Sequence, residues 1–349
     1  MTSAIRLDPI AFDNVPGWVA DDLAPALAAF RVSAERLLAI GDVAPPLTRE
    51  FLAKAASDPG EARSFFESSF VAHTVRPSGA DGLLTGYFEP EYRGSRRRQG
   101  PFVVPVYARP PDLVNLVDEA DRAAANGGFS HMRATPEGLV PYQTRREIEN
   151  GALAHRGLEI AWLADPVDAF ILHVQGSGQI VLEDGTVLRL AYDGKNGHPY
   201  TSVGRVLIER GDLPADELTL DVMTSWLRAD PARGRAAMWH NESFVFFREL
   251  PADEPGPVGA KGIRLTPDRS LAVDPSFHRL GLPIFVDAPT LDVGGRPFRR
   301  LMIAQDVGSA IRGPERGDIY FGAGPEAGRL AGQTKHPGRF FVLLPRVTP

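Results

Sequence analysis

Beyond Glu249 the chain breaks into short apolar runs separated by turn residues: GIRLTP, LPIFVD, RRLMIAQD, GDIYFG and RFFVLLP. Runs of this length, rich in β-branched and aromatic residues and bounded by Gly and Pro, predict strands rather than helices. Their regular spacing predicts a β-barrel-like domain at the C-terminal end. The 35 Gly and 31 Pro follow no repeat and no collagen-like period; they are spread as turn residues are in a chain of many short strands.

The rest of the chain has other textures. DDLAPALAAFRVSAERLLAIG places Leu23, Leu27, Phe30, Ala34, Leu37 and Leu38 near helical spacing, and Gly41 stands where a C′ glycine ends a helix. GEARSFFESSF reads as a second helical segment, so roughly the first 70 residues are expected to be helical. LLTGYFEPEYRG and FVVPVY then read as strands. Between about Pro110 and Leu250 both textures mix. YQTRREIENGAL and TSVGRVLIERGDL predict helices closed by glycine, and IVLEDGTVLRLAY predicts a hairpin turning at Asp184-Gly185. At roughly 100–200 residues per domain, the 349 residues make about two domains. A groove between domains is a common place for a ligand.

Composition removes several function classes. With 38 basic and 44 acidic side chains the net charge is −6, which argues against a nucleic-acid coat protein. Apolar residues at 43% and charged residues at 23% exclude wholesale disorder. The absence of cysteine removes disulfides, thiolate nucleophiles, Fe–S clusters and zinc ribbons together. No apolar run is long enough to span a bilayer, and MTSAIRLDPIAFDNVPGW lacks the charged-then-apolar order of a signal peptide. Two readings stay open: the protein remains inside the cell, or a signal is missing from this sequence.

Candidate chemistry narrows by spacing. FGAGPEAGRLAG reads G-x-G-x-x-x-G from Gly322, and too little chain follows for a βαβ unit, so turn and barrel-corner glycines are expected there. QGSGQ around Ser177 lacks the nucleophile-elbow spacing and reads as a glycine-rich bend beside a ligand. None of the eight histidines pairs at i, i+4 or in HExxH, so no metal is expected. Arg96–Arg98 reads as a solvated loop. Carboxylates remain. Asp306, Asp318 and Asp274 stand at ends of apolar strands near Gly or Pro, with Glu89 and Glu91 of TGYFEPEY as a second set. Partial desolvation at a strand end raises a carboxyl pKa and suits it to act as an acid. A turn cap or an ion-pair partner is the plainer role for each.

AQDVGSAIRGPERGDIYFGAGPEAGRLAGQTKHPGRFFVL resembles the three-aspartate (3D) signature of the membrane-bound lytic transglycosylase A (MltA) family. The resemblance extends back through TGYFEP, YQTRREIENGAL, HVQGSGQIVLEDGTVLRLAYDGKNGHPYTSVGRVLIERG and ESFVFF, covering about residues 80–345. It implies a mainly β fold with α: two β-rich domains separated by a substrate groove, one of them a double-psi β-barrel, with N-terminal helices. It divides the chain into a discontinuous domain at 1–108 and 250–349, with the 3D domain at about 260–345, and an inserted domain at 109–249.

The activity that this resemblance implies is cleavage of the β-1,4 bond between N-acetylmuramic acid and N-acetylglucosamine in peptidoglycan. No water enters, and 1,6-anhydro ends result. Asp318 matches the single catalytic acid/base, and Asp306 and Asp274 match the supporting signature aspartates. Asp306 is expected to raise the Asp318 pKa by like charge. Thr85, Tyr87 and Glu89 of TGYFEP, Gln175, Gly176 and Ser177 of QGSG, and Lys195 and Asn196 of GKNG are expected to bind substrate. Lys195 is one of four lysines, and a surface lysine is an equal alternative. No cofactor is implied. The expected partners are peptidoglycan glycan strands and other cell-wall enzymes, with no nucleic acid, and a monomer is expected. Location follows from substrate: the cell envelope or periplasm, with outer-membrane association open because the family's acylated cysteine is absent. Two rivals stand: a hydrolytic glycosidase that uses Glu89 as second carboxylate, and a non-catalytic glycan-binding module.

Overall fold

The computed structural model describes residues 6–42, 59–76, 82–116, 129–251 and 257–346. The protein is mainly β with α and divides into two compact units. Unit 1 takes Met1–Tyr87, Val258–Gly322 and Thr334–Pro349; unit 2 takes Phe88–Pro257 and Ala323–Gln333.

Unit 1 is built on one nine-stranded mixed sheet. Its strand order is Arg6–Ile10, Phe70–Arg76, Arg339–Pro345, Pro283–Asp292, Pro297–Val307, Ser270–Val273, Arg316–Ala323, Leu83–Glu89 and Lys335–Pro337. Four of the five apolar runs beyond Glu249 are therefore strands. GIRLTP is not: its segment holds a single bridge, Val258 to Arg264, beside a short 3₁₀ turn at Ala260–Gly262. The N-terminal region departs from expectation at Arg6–Ile10, which pairs antiparallel with Phe70–Arg76 rather than forming helix. That strand carries Pro9, which has no N–H to give a ladder, and accordingly it lies at the sheet edge.

The helix Ala24–Ala39 carries Pro25 in its first turn and buries Ala26, Leu27, Ala29, Phe30, Ser33, Ala34 and Leu37 along one face. It ends with the N–H of Gly41 on the Leu38 carbonyl and that of Asp42 on the Leu37 carbonyl, a Schellman closure. The helix Pro59–Ser69 adds Phe65 and Phe66. These rings lie 5.3 Å apart and meet Phe30 and Phe70 at centroid distances of 5.8–6.0 Å. The aromatic cluster packs on Phe285, Leu301, Ile303, Phe341 and Leu343 of the sheet, so burial of apolar area anchors the helical layer.

Unit 2 holds a six-stranded sheet in the order Val245–Glu249, Val187–Lys195, Ser177–Leu182, Glu91–Ser95, Glu159–Leu163 and Val104–Tyr107. The expected hairpin at Asp184-Gly185 joins two of these strands, with Val181 opposite Val187. A three-stranded sheet comprises Leu113–Asn115, His131–Thr135 and Gly138–Val140. YQTRREIENGAL begins as expected, with a Thr144/Glu147 capping box, but only Arg145–Glu147 is α before a π-turn at Ile148–Ala152. FGAGPEAGRLAG keeps corner glycines only at its start, Gly322 and Gly324 at φ 106 and 84; from Gly324 to Gln333 it is a helix rather than turns. Gly328 and Gly332 serve close packing. A Cβ at Gly328 would stand 2.9 Å from the Phe88 ring. Tertiary contact thus outweighs the poor helix propensity of glycine.

Candidate active site

Strand register in unit 1 brings two of the three signature aspartates to one level. Ser270–Val273 runs parallel to Pro297–Val307 on one side and antiparallel to Arg316–Ala323 on the other. Ala272 is the register partner of Asp306 on the first and of Asp318 on the second. Partners in register point to the same face, so both carboxylates lie on one face with the small Ala272 side chain between them. Their backbones stand two strand spacings apart, about 10 Å. Tyr87 packs over that gap against Leu265, Ala272, Ile311 and Tyr320. Its hydroxyl donates to Asp306 Oδ2 at 3.0 Å.

The two carboxylates differ in what holds them. Asp306 Oδ1 accepts from the Ala260 and Val307 amides at 3.0 and 2.9 Å, and Oδ2 accepts from Tyr87, so both oxygens are occupied. Asp318 Oδ1 accepts from Thr85 Oγ1 at 2.5 Å, and Thr85 Oγ1 accepts from Arg316 Nη2 at 2.9 Å. Among the described residues no hydrogen bond reaches Asp318 Oδ2. Burial pushes the Asp318 pKa up, against the Thr85 hydrogen bond and the Arg316 charge, which both pull it down. Burial, and then the charges of Asp306 and Asp318, drive the Tyr87 pKa well above the usual tyrosine range, so Tyr87 stays a donor.

Asp274 does not join this pair. It is buried, with Oδ1 on the Ser276 amide at 3.0 Å and Oδ2 on the Gly313 amide at 2.8 Å. It closes the turn after its strand and ties down the loop that carries the chain from Asp306 to Asp318. His278 adds a second tie, Nε2 to the Pro314 carbonyl at 2.6 Å, and burial lowers its pKa.

The remaining candidates lie in unit 2. Gln175 ends the helix Pro166–Gln175 and accepts the Phe88 amide on Oε1 at 3.1 Å. Gly176 caps that helix in the left-handed region at φ 77, and Ser177 opens the next strand, 9% exposed. Glu89 is 1% exposed and accepts from Gln179 Nε2 at 2.8 Å, while its Oε1 is buried without a partner. Burial raises the Glu89 pKa, against the Gln179 bond and the Arg189 charge. Asn196 is fully buried, and its amide is engaged inside the fold. Nδ2 donates to the Gln143 and Glu242 carbonyls at 2.8 Å each, and Oδ1 accepts from the Phe244 amide at 2.9 Å. Lys195, partly buried, closes the neighbouring strand opposite Val245.

Sequence reasoning passed over two arginines. Arg316 stands two residues before Asp318, a strand spacing that puts both on one face, and that period was the available signal. Arg145 of TRRE is buried in unit 2, donating to the Asn241 and Ser243 carbonyls and contacting His173 Nδ1 at 3.0 Å. Nothing in the local pattern separates it from exposed Arg146.

A two-unit, mainly β protein with paired aspartates on a mixed sheet matches two described domain families. The MltA specific insert domain matches residues 83–248, and the 3D domain matches residues 269–344. The chain is 36% identical over 276 residues to membrane-bound lytic murein transglycosylase A of Escherichia coli K12, covering 76% of this chain and 67% of that protein. The crystal structure of membrane-bound lytic murein transglycosylase from Agrobacterium tumefaciens superposes with a TM-score of 0.87 at 37% identity, over 97% of this chain and 98% of that one. The Escherichia coli MltA structure with bound chitohexaose gives 0.70 at 30% identity, over 99% and 92%. The chain belongs to the membrane-bound lytic murein transglycosylase A family.

Proposed function

We propose that this protein is a lytic transglycosylase that cleaves the N-acetylmuramic acid–N-acetylglucosamine bond of peptidoglycan glycan strands, with Asp318 as its only acid and base. The observation that carries this reading is the contrast between the two aspartates. Asp306 has both oxygens taken by protein donors, whereas Asp318 has a burial-raised pKa and an oxygen that no described protein group occupies. A hydrolase generally needs a second free carboxylate to activate water or attack carbon. Glu89, its candidate here, is 1% exposed and bonded to Gln179.

One carboxyl suffices if the sugar supplies its own nucleophile. Asp318 donates its proton to the glycosidic oxygen as the C1–O bond breaks and the electron pair leaves with that oxygen. The muramoyl 6-hydroxyl then attacks C1 and gives its proton to the Asp318 carboxylate. A 1,6-anhydro end forms, Asp318 is protonated again, and no water is consumed. The names of the relatives support peptidoglycan as substrate and a cell-envelope location. Among the described residues no helix is long and apolar enough to cross a membrane.

Mass spectrometry of purified sacculi digested with the wild-type protein and with Asp318→Asn tests the reading. Muropeptides lighter by one water than their hydrolysed counterparts, and lost with Asp318→Asn, support it. Hydrated reducing ends overturn it in favour of hydrolysis, and binding without release by either protein overturns it in favour of a glycan-binding module.

A further inference from the structure

We infer that Arg316, acting through the Thr85 hydroxyl, is a positioning residue that keeps the catalytic proton of Asp318 on Oδ2. The inference rests on Asp318 being the acid.

A guanidinium has donors only. Arg316 Nη2 lies 2.9 Å from Thr85 Oγ1, so the hydroxyl oxygen must accept there. Thr85 then turns its own single proton to the acceptor at 2.5 Å, Asp318 Oδ1. An oxygen that receives a short hydrogen bond from a hydroxyl is the worse place for the acid proton, which therefore rests on Oδ2. Without Arg316, the hydroxyl is free to rotate and accept from a protonated Oδ1 instead, and the proton is divided between the two oxygens.

The guanidinium is itself fixed. Arg316 Nη1 donates to the Gly317 carbonyl at 2.5 Å and approaches the Leu83 carbonyl at 3.4 Å, so one arginine grips both strands that carry the relay. Register keeps the geometry: Thr85 sits on Leu83–Glu89, the sheet neighbour of Arg316–Ala323. The other charged or titratable groups around Asp318 are Tyr87 from the Leu83–Glu89 strand, Tyr320 two residues on along its own strand, Lys335 in register with Thr85 on the far side and, beyond Ser270–Val273, Asp306. Among the described residues Thr85 is the hydrogen-bond donor to Oδ1, so the relay distinguishes the two oxygens.

The test is the pH dependence of anhydro-muropeptide release by wild type, Arg316→Gln, Thr85→Val, Thr85→Ser and Asp318→Asn, with thermal unfolding of each. The acid must start protonated, so activity falls on the alkaline side as Asp318 ionises. Arg316→Gln and Thr85→Val each remove a group that favours the carboxylate. Both are expected to move that limb to higher pH and to lower kcat by roughly 10–100-fold, with a smaller change in KM. Thr85→Ser restores the hydroxyl and with it the wild-type limb. If Asp318→Asn is inactive while Arg316→Gln and Thr85→Val leave the limb in place, the relay is wrong and Asp318 stands. If Asp318→Asn stays active, the function proposed above fails instead. If the limb moves but Thr85→Ser does not bring it back, the Thr85 hydroxyl is not the connection and the inference is overturned.

Discussion

The Asp318 carboxyl in unit 1 and the Glu89 carboxyl in unit 2 are both pushed to higher pKa by burial, yet they are left in different conditions. Asp318 is partly exposed, its Oδ1 bonded to a hydroxyl that an arginine anchors, and no described protein group bonds its Oδ2. Glu89 is 1% exposed, with one oxygen on Gln179 and the other enclosed and unpartnered. A raised pKa therefore does not by itself make an acid catalyst. The proton must also be within reach of a substrate. The same contrast separates Thr85, whose hydroxyl faces a carboxylate, from Asn196, whose amide is bonded to three backbone groups of its own unit.

The sharpest way to break this comparison is Asp318→Asn. Loss of a positioned acid costs about 10²–10⁴-fold in rate, so anhydro-product release on sacculi is expected to fall at least a hundredfold while thermal unfolding changes little. Retained turnover would remove the distinction between the two carboxyls. Next in size is Asn196→Ala, which leaves the Gln143 and Glu242 carbonyls and the Phe244 amide short of a partner. Buried groups of this kind cost about 1–3 kcal/mol each when orphaned, with partial relaxation. A destabilisation of roughly 2–4 kcal/mol in urea unfolding is expected, with KM unaltered in the folded fraction. A large KM effect without lost stability would make Asn196 a substrate ligand after all.

Tyr87→Phe removes one hydrogen bond to Asp306 from a buried site. It is expected to cost about 1–2 kcal/mol, and its ring packing against Tyr320 should survive. Glu89→Gln is the smallest change and depends on pH. Because the folded-state pKa of Glu89 is raised, its contribution to stability is full below the unfolded carboxyl pKa and is lost as pH rises through the folded value. The substitution should be near neutral at acid pH and stabilising at neutral to alkaline pH, flattening the stability profile. Parallel profiles for the two proteins in urea titrations across pH would show that Glu89 does not titrate as a buried acid.

Much of this fold was legible in the residues. The hairpin at Asp184-Gly185, the glycine-closed helix ending at Gly41 and four C-terminal strands follow from local pattern and turn chemistry. Arg6–Ile10 was not legible as a strand, because its pairing with Phe70–Arg76 joins segments far apart in sequence. Neither was the helix Gly324–Gln333, where glycines that usually signal turns instead permit contact with Phe88. The identities of Asp306 and Asp318 came from sequence resemblance. Their unequal surroundings did not.

The sequence by itself determined which segments are strands and helices wherever apolar spacing and turn residues agree, because those preferences are local. It also determined the family, through several motifs in fixed order. Only the tertiary structure decided that Ala272 lies level with both Asp306 and Asp318, that Arg316 reaches Asp318 through Thr85, and that Asn196 and Arg145 are bonded inside unit 2. Each depends on which backbone groups meet across strands distant in the chain. Burial and hydrogen-bond partners, which set pKa and access, are properties of that meeting and not of any residue alone.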